Sequence, residues 1–296
     1  MQPQINHARR ALMYVPGNDL HKIEKAAALH VDAVILDLED GVAPGRKDEA
    51  RQVIRQALIA VDFGRTERFV RINSLASGRG EADLASIVPG QPDCILLPKV
   101  DDAGSLSRVD ELLGNLEKVN GIGSGSIAIA ATIESAIGFL NLREICQASP
   151  RLQALVFGGE DFTTDAGITR TREAQELLLA RSLLVLHGAA FGLSLIDMVQ
   201  TAYVDLQLLE AECKQGAELG FTGKQVIHPA QVETVQRVFT PSENAIKDAL
   251  RVVEAADLAQ REGRGAFALD GHMVDAPVVK RAQNILRRAR AAGVIS

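Results

Sequence analysis

Residues 33–72 read AVILDLEDGVAPGRKDEARQVIRQALIAVDFGRTERFVRI, and they contain two strand-like runs on either side of a helix-like segment. The runs Ala33 to Leu38 and Arg68 to Ile72 are short and rich in apolar and β-branched residues, which is typical of buried strands. Between them, Arg46 to Ala60 repeats apolar residues at helical spacing. Because strands joined through a helix pair in parallel, this stretch predicts a strand–helix–strand unit of a parallel sheet.

The same alternation continues along most of the chain. The predicted strands are Ala11 to Val15, Ala33 to Leu38, Arg68 to Ile72, Cys94 to Pro98, Ile127 to Ile133, Ala154 to Phe157, Leu195 to Val199 and Gln225 to Ile227. The predicted helices are Leu20 to Leu29, Arg46 to Ala60, Ser105 to Val119, Arg172 to Ala189 and Leu206 to Leu219. This pattern predicts an α/β fold, a (β/α)8 TIM barrel, with a doubly wound open sheet as the alternative.

The glycine-rich stretch Gly121 to Ser126 bears on that alternative. A dinucleotide-binding sheet needs its glycines just after a strand and at the start of a helix. Here the glycines precede a predicted strand. The stretch is therefore interpreted as a linker, which disfavours a dinucleotide-binding fold.

The alternation stops after Pro229. Helices are predicted for Ser242 to Glu262 and Pro277 to Ala292, with a turn-rich hinge around Gly263 to Gly271. A tail of roughly 65 residues is too short to hold much core of its own, so it should pack against its own barrel or a neighbouring subunit. The predicted domains are a barrel over residues 9–229 and a C-terminal helical extension over residues 230–296.

Composition limits the possible functions. The chain has 296 residues, 47% hydrophobic and 24% charged, with a net charge of -6, which disfavours nucleic acid and anionic membranes as partners. Three widely spaced cysteines, Cys94, Cys146 and Cys213, indicate reduced thiols and neither a disulfide framework nor a zinc site. Met1 to Arg10 lacks the pattern of a secretory signal, and Leu177 to Ile196 is too interrupted for a membrane span. A cytoplasmic location is expected.

Charged and polar residues cluster where the predicted strands end. In a TIM barrel these positions form the rim that carries the active site. Charges that follow buried strands are costly unless they are paired or bind a ligand. The rim residues are Asp37, Glu39, Asp40, Arg71, Asn73, Lys99, Glu134, Glu160 and Asp161.

Glu134 and Asp161 follow successive strands, so their carboxylates can converge on one point. Two carboxylates without His or Cys suit Mg²⁺ better than zinc, although each could instead cap or pair with a neighbouring loop. Arg71 lies inside a strand, where it can bind a substrate carboxylate or a developing oxyanion, form a structural pair with Asp37, Glu39 or Asp40, or do both.

Two other rim residues are interpreted as non-nucleophilic. Lys99 has so many acidic neighbours that it should stay charged, which favours an electrostatic role over a Schiff base. His228 is interpreted as a packing or hydrogen-bonding residue and not as a general base. The sequence contains no G-x-S-x-G elbow, so a nucleophilic serine triad has no support.

Taken in order, the motifs resemble one known family. They are Arg9–Gly17 (RRALMYVPG), Leu36–Val42 (LDLEDGV), Val70–Asn73 (VRIN), Leu97–Lys99 (LPK), Ile133–Ser135 (IES), Phe157–Phe162 (FGGEDF), Gly223–Pro229 (GKQVIHP) and Gly271–Pro277 (GHMVDAP). The chain resembles the citrate lyase β-subunit family of the HpcH/HpaI aldolase superfamily over nearly its whole length. Within it, the chain is most similar to the stand-alone citramalyl-CoA and malyl-CoA lyases.

The resemblance implies a (β/α)8 barrel with a C-terminal helical lid, in a homotrimer or a dimer of trimers. It implies that Glu134 and Asp161 hold Mg²⁺, that Arg71 contacts the substrate carboxylate or enolate oxygen, and that Asp275 is the acid/base, delivered to a neighbour's site. Glu134 would also contact substrate. The residues implied along the CoA chain are Pro16, Asn18, Lys22, Lys25, Ile227, His228 and Pro229.

The implied reaction cleaves citramalyl-CoA or malyl-CoA to acetyl-CoA and a 2-oxo acid, and a malate-synthase side activity would accompany it. One alternative is the β subunit of a citrate lyase complex, which acts on a citryl group carried by an acyl carrier protein. Val226-Ile227-His228-Pro229 resembles the stand-alone enzymes more, because complex subunits more commonly have Asn before the proline. The other alternative is a non-catalytic CoA-thioester-binding protein.

Overall fold

The eight apolar runs predicted as strands form the eight strands of one closed parallel barrel in the computed structural model, which describes residues 8–296. Strand β1 pairs with β2 on one side and with β8 on the other, so the sheet has no free edge. This closure confirms the barrel and excludes the doubly wound alternative. The strands are β1 Ala11–Pro16, β2 Ala33–Asp37, β3 Glu67–Arg71, β4 Cys94–Leu97, β5 Ala128–Ile133, β6 Leu152–Phe157, β7 Ser194–Asp197 and β8 Gly223–Val226.

Helices follow the strands along the chain and include every helix predicted in the barrel. Those of the first half are α1 Leu20–Ala27, α2 Lys47–Ala60, α3 Gly80–Ile87, α4 Ala103–Val119, α5 Ala136–Leu140 and α6 Leu142–Gln147. Those of the second half are α7 Gly159–Asp165, α8 Leu178–Phe191, α9 Leu206–Leu219, α10 Val232–Phe239, α11 Glu243–Arg261 and α12 Ala276–Ala291. The short helices α3, α5, α6, α7 and α10 were not predicted, since a segment of two turns shows little periodicity.

Alternate residues of each strand point into the barrel, as the two-residue period of a strand requires. The lower layers of this interior are apolar. The buried cluster comprises Leu12, Ala33, Ile35, Phe69, Cys94, Leu96, Ala128, Ala130, Ala154, Val156 and Ile196. Continuing the same alternation toward the carboxyl ends reaches Tyr14, Asp37, Arg71 and Gln225, so the top of the interior is polar.

The described chain divides into two compact units, Arg9–Gln236 and Arg237–Ser296. The division lies inside α10, downstream of the predicted boundary after Pro229, because α10 is the helix that follows β8. In the second unit α11 packs on α12 through a small apolar cluster that includes Ile246 and Leu286.

The predicted turn-rich hinge at Gly263 to Gly271 is in part regular structure. Antiparallel strands β9 Phe267–Leu269 and β10 His272–Val274 form a hairpin. Its two-residue turn, Asp270-Gly271, has φ of 51° and 79°, the backbone for which an Asp-Gly pair is preferred. The hinge interpretation was therefore wrong for this part of the stretch.

Three further predictions can be compared with the structure. Gly121 to Ser126 connects α4 to β5 without regular structure, as expected of a linker. All three cysteines are free and buried. Among residues 8–296, no helix combines the length and hydropathy that a membrane crossing needs. Most of the segment Met1 to Arg10, interpreted as lacking a secretory signal, lies outside the described residues.

Candidate active site

Arg71 lies at the carboxyl end of β3, level with Asp37 of β2 in the strand register. Its Nε and Nη2 atoms donate to the two carboxylate oxygens of Asp37, both over 2.7 Å. Its Nη1 atom lies 2.8 Å from Glu39 and 3.9 Å from Asp40. The predicted structural pairing of Arg71 is therefore confirmed with all three acids.

The β2–α2 loop is held in place by Asp37 and Lys47. The carboxylate of Asp37 accepts backbone N–H bonds from Glu39 and Gly41, each of 2.8 Å. A Cβ at position 41 would lie 2.5 Å from an Asp37 oxygen, so only glycine fits there. Lys47 donates its ammonium protons to the carbonyls of Leu38 and Glu39. The loop thus presents Glu39 to Arg71 in one fixed orientation.

Arg71 also stacks on Tyr14, whose ring centroid lies 4.8 Å from the guanidinium carbon. The Tyr14 hydroxyl donates to Gln225 over 2.9 Å, and the Gln225 amide donates to the carbonyls of Phe157 and Asp197. Burial alone would lower the pKa of Arg71, but the hydrogen bonds to Asp37 and the nearby negative charges raise it. Arg71 is a permanent, firmly positioned cation.

Lys99 lies at the end of β4 and extends the same network. Its ammonium lies 3.1 Å from Glu39, and this hydrogen bond is the main reason that the pKa of Lys99 is raised. This contact is consistent with the predicted electrostatic role, and a raised pKa is the opposite of what a Schiff-base amine needs. Its φ of 54° is uncommon for a residue with a side chain.

Glu134 follows β5 and is buried, with 6% of its surface exposed. One carboxylate oxygen accepts the backbone N–H of Lys99 over 2.7 Å. Burial first, and then the charges of Asp161 and Glu39, raise the pKa of Glu134 to about 8. A Cβ at Gly158 would lie 2.4 Å from the Glu134 Cβ, so the glycine after β6 makes room for this side chain.

Asp161 lies in the first turn of α7, which begins two residues after β6 ends, and it is exposed. Its charge is the largest neighbouring charge acting on Glu134, as expected for residues at the ends of adjacent strands. No lysine, arginine or histidine of the described chain forms an ion pair with either carboxylate. Within the described residues, the two carboxylates therefore lack a directly paired protein cation.

The donor set fits Mg²⁺. No group of three or more His, Cys, Asp or Glu side chains within residues 8–296 is arranged as a complete metal site. Mg²⁺ commonly takes only one or two protein carboxylates and fills its other positions with water and substrate oxygens. Around Arg71 and Lys99 stand five carboxylates, so a divalent cation would also offset excess negative charge. These are Asp37, Glu39, Asp40, Glu134 and Asp161.

The other predicted rim residues have local roles. Asn73 is buried and donates to the carbonyl of Leu38 and to Asp83. Glu160 forms an ion pair with Arg170.

The predicted CoA-binding residues lie at or after the ends of β1 and β8, which are neighbours in the barrel. Pro16 ends β1 and Asn18 lies in the turn that leads to α1, where Lys22 and Lys25 are exposed. After β8 come Ile227, His228 and Pro229.

His228 is fixed by its surroundings. Its ring stacks on Tyr203 with a centroid distance of 4.8 Å, and its Nδ1 atom accepts the N–H of Ala230. Packing and hydrogen bonding, as predicted, account for this side chain. The backbone N–H groups of Ile227 and His228 both donate to Gln231, which holds the segment.

Asp275 belongs to the second unit. It follows β10 directly and caps α12, with its carboxylate accepting the N–H of Val278 over 3.3 Å. Asp275 is partly exposed. The carboxylate that caps α12 is therefore held in position and remains accessible to water.

Sequence reasoning missed Tyr14, Gln225, Lys47 and Gly158 as parts of the site. The sequence did contain a signal for Tyr14 and Gln225. Each lies two positions after an inward-facing strand residue, near the carboxyl end of its strand. Gly158 follows β6 directly, and its role depends on the position of Glu134 in the neighbouring strand.

Comparison with known proteins agrees with this geometry. The profile of the family described as HpcH/HpaI aldolase/citrate lyase matches residues 10–229. The mitochondrial citramalyl-CoA lyase of Rattus norvegicus is 40% identical, over 95% of this chain and 86% of its own length. The citrate lyase subunit beta of Leuconostoc mesenteroides subsp. cremoris is 38% identical, over 96% of this chain and 94% of its own.

Among solved structures, the protein CitE of Mycobacterium tuberculosis in complex with magnesium, acetoacetate and coenzyme A is similar to this chain. It superposes with a TM-score of 0.77 at 32% identity, covering 97% of this chain and 100% of its own. Family profile, relatives and structural neighbour therefore agree across the barrel and beyond it. The chain belongs to the HpcH/HpaI aldolase/citrate lyase family.

Proposed function

We propose that this chain is a Mg²⁺-dependent carbon–carbon lyase that cleaves citramalyl-CoA or malyl-CoA to acetyl-CoA and a 2-oxo acid. The observation that carries the proposal is the carboxylate pair Glu134 and Asp161, which forms no ion pair within residues 8–296 and stands on the same rim as the fixed cation Arg71. The relatedness to a citramalyl-CoA lyase supports the same reaction.

Glu134 and Asp161 are the residues proposed to hold Mg²⁺. When bound, the ion would supply Lewis-acid polarisation of the carboxylate and neighbouring oxygen of the substrate. The rest of the chemistry falls to protein groups at the rim.

Arg71 is proposed to bind the substrate carboxylate or the oxygen on which charge develops. Three of its N–H groups face Asp37 and Glu39, and a guanidinium has five, which leaves two for a substrate oxygen. Since its partners hold it in place before substrate arrives, little reorganisation is needed when charge develops.

In the cleavage direction a base takes the hydroxyl proton, the C–C bond breaks, and its electron pair passes to the thioester as an enolate. A proton must then be added to the enolate carbon to give acetyl-CoA. Asp275 is proposed as that acid, delivered by the C-terminal unit of a neighbouring subunit, where this unit serves as a lid. Asp275 directly follows the β9–β10 hairpin, and this position is suited to presenting its carboxylate from the C-terminal unit to another site.

The CoA chain is proposed to run along the ends of β1 and β8. Lys22 and Lys25 are exposed on α1 and would meet phosphate groups, whereas the Pro16 to Asn18 turn and Ile227 to Pro229 would line the path.

The test is a screen of malyl-, methylmalyl-, citramalyl- and citryl-thioesters with purified protein, with and without Mg²⁺. We expect Mg²⁺-dependent release of acetyl-CoA and pyruvate from citramalyl-CoA, or of acetyl-CoA and glyoxylate from malyl-CoA. Absence of turnover with every thioester, together with CoA binding that ignores Mg²⁺, would indicate the non-catalytic alternative.

A second candidate function is the β subunit of a citrate lyase complex, which the 38% identity to the Leuconostoc protein favours. Turnover of a citryl-thioester to oxaloacetate, with co-purification of an acyl carrier protein, would establish it. Turnover of free citramalyl-CoA by the isolated chain would favour the stand-alone lyase.

Arg71→Lys should lower kcat/KM for the thioester about 10²- to 10³-fold, because lysine cannot form the bidentate pair with Asp37 or present two aligned donors. Steady-state kinetics at saturating Mg²⁺ measure the effect. Arg108→Lys is the matched control, since Arg108 pairs only with exposed acids. An Arg71→Lys enzyme within threefold of wild type contradicts the proposed role.

Assembly into a trimer or a dimer of trimers is also proposed. Helices α5 and α8 are in contact, and together they leave five large apolar side chains exposed. We call this the α5–α8 apolar surface, and it comprises Ile137, Leu140, Leu178, Leu179 and Leu186. Exposed apolar residues that cluster on neighbouring helices commonly mark subunit interfaces.

Leu179→Glu combined with Leu186→Glu should therefore shift the protein toward monomers, because two exposed apolar side chains of each subunit would be replaced by charges that the interface would have to bury. Light scattering coupled to size-exclusion chromatography gives the mass. Ile59→Glu, on the exposed side of α2, is the control and should leave the mass unchanged. An unaltered oligomer in the double variant places the interface elsewhere.

A further inference from the structure

Arg170 lies between α7 and α8 and faces three acidic side chains at once. Its Nη2 atom donates to Glu212 over 3.2 Å, and its Nη1 atom lies 3.5 Å from Glu176. Its Nε atom lies 3.4 Å from Glu160, a charge contact without hydrogen-bond geometry. Arg170 therefore ties the first turn of α7 to α9.

The side chain that Arg170 contacts on α9 is buried. Glu212 also pairs over 3.1 Å with Lys224 of β8, and both side chains are buried. Glu176 accepts from the backbone and hydroxyl of Thr171, which closes the loop that follows Arg170. Arg170 is thus a positive charge fixed beside Glu160.

Glu160 and Asp161 are consecutive residues of α7, so their side chains leave the helix about 100° apart. The charge of Asp161 acts on Glu134, whereas Glu160 is engaged by Arg170. Since Glu160 directly precedes Asp161 in the first turn of α7, a freed Glu160 would be a third carboxylate next to a proposed metal ligand. It would compete for the positions that a catalytic metal leaves open to substrate.

We propose that Arg170 is a positioning residue that holds Glu160 back, so that the metal takes only Glu134 and Asp161 and keeps its open positions for the substrate. The inference rests on the proposed Mg²⁺-dependent function. It predicts that loss of Arg170 affects metal and substrate in opposite directions. An extra carboxylate strengthens cation binding, while the substrate loses the positions that the carboxylate fills.

The test compares Arg170→Gln with wild type by two measurements. Isothermal titration with MgCl₂ in the absence of substrate should give a Kd about three- to tenfold lower for the variant. The KM for the thioester at saturating Mg²⁺ should rise about tenfold. Arg170→Lys keeps the charge and should stay within about threefold of wild type in both measurements.

The double variant Glu160→Gln/Arg170→Gln should restore the wild-type Kd and KM, since the competing charge is gone. Arg172→Gln is the control from the same loop, because Arg172 is exposed and pairs only with Asp205. If Arg170 has only a structural role, Arg170→Gln should weaken the binding of both metal and substrate, and adding Glu160→Gln should not restore either. That result overturns the inference. An Arg170→Gln protein indistinguishable from wild type also overturns it. Failure of the proposed function is separate, because wild type itself would then bind no Mg²⁺.

Discussion

Glu134→Gln is expected to abolish Mg²⁺ binding and to lower kcat/KM by at least about 10³-fold, equivalent to about 4 kcal/mol of transition-state stabilisation. The amide keeps the shape of the side chain but removes the charge. Glu134 is buried, and burial raises its pKa to about 8, so its charge is costly in the metal-free protein. The same variant should therefore be more stable without metal than wild type, by about 1 kcal/mol or more.

Thermal unfolding with and without Mg²⁺ separates these effects. Wild type should gain stability as MgCl₂ is added, because a ligand that binds only the folded state shifts the folding equilibrium, whereas Glu134→Gln should not respond. Glu144→Gln, an exposed glutamate of α6, is the matched control and should behave as wild type. Retained turnover, or an unchanged response to Mg²⁺, contradicts the assignment of Glu134.

The strands and the charged rim were predictable because both depend on local patterns. All five residues of β2 are buried, and an uninterrupted apolar run signals such a strand. Asp37, Arg71, Lys99 and Glu134 were recognised because each charge stands at or next to the end of such a run. Local sequence patterns therefore predicted the fold and identified the charged residues of the rim.

What local pattern cannot predict is which side chains meet across the closed barrel. The bond from Tyr14 to Gln225 joins residues 211 positions apart, across the pairing of β1 with β8. The choice of Asp37 as the bidentate partner of Arg71 depends on the register of β2 against β3. The hairpin at Asp270-Gly271 was missed despite a recognisable turn signal, because its strands have only three residues each.

Charged residues on the outer face of the strands were harder to predict than those at the rim. In the sequence Arg181 only interrupts an apolar stretch, which suggests an exposed helix position. In the structure Arg181 is fully buried between α8 and the barrel wall, and it donates to both carboxylate oxygens of Asp197 over 3.1 and 2.7 Å. Lys224 lies 3.7 Å from the same carboxylate.

Asp197→Ala should consequently destabilise the protein by about 3–5 kcal/mol, because Arg181 and Lys224 would remain buried with one acid fewer between them. Urea denaturation followed by far-ultraviolet circular dichroism gives the free energy of unfolding. Asp257→Ala, on the exposed face of α11, is the control and should change it by less than about 0.5 kcal/mol.

The double variant Arg181→Met/Asp197→Leu identifies the cause. It removes one charge of each sign and leaves the pair of Lys224 with Glu212 at 3.1 Å. Since apolar residues of similar volume often replace a buried ion pair without loss, the double variant should regain most of the stability that Asp197→Ala loses. If it is as unstable as the single variant, lost packing and not an uncompensated charge is the cause. A loss below about 1 kcal/mol in Asp197→Ala means that water reaches Arg181 and Lys224 once the carboxylate is gone.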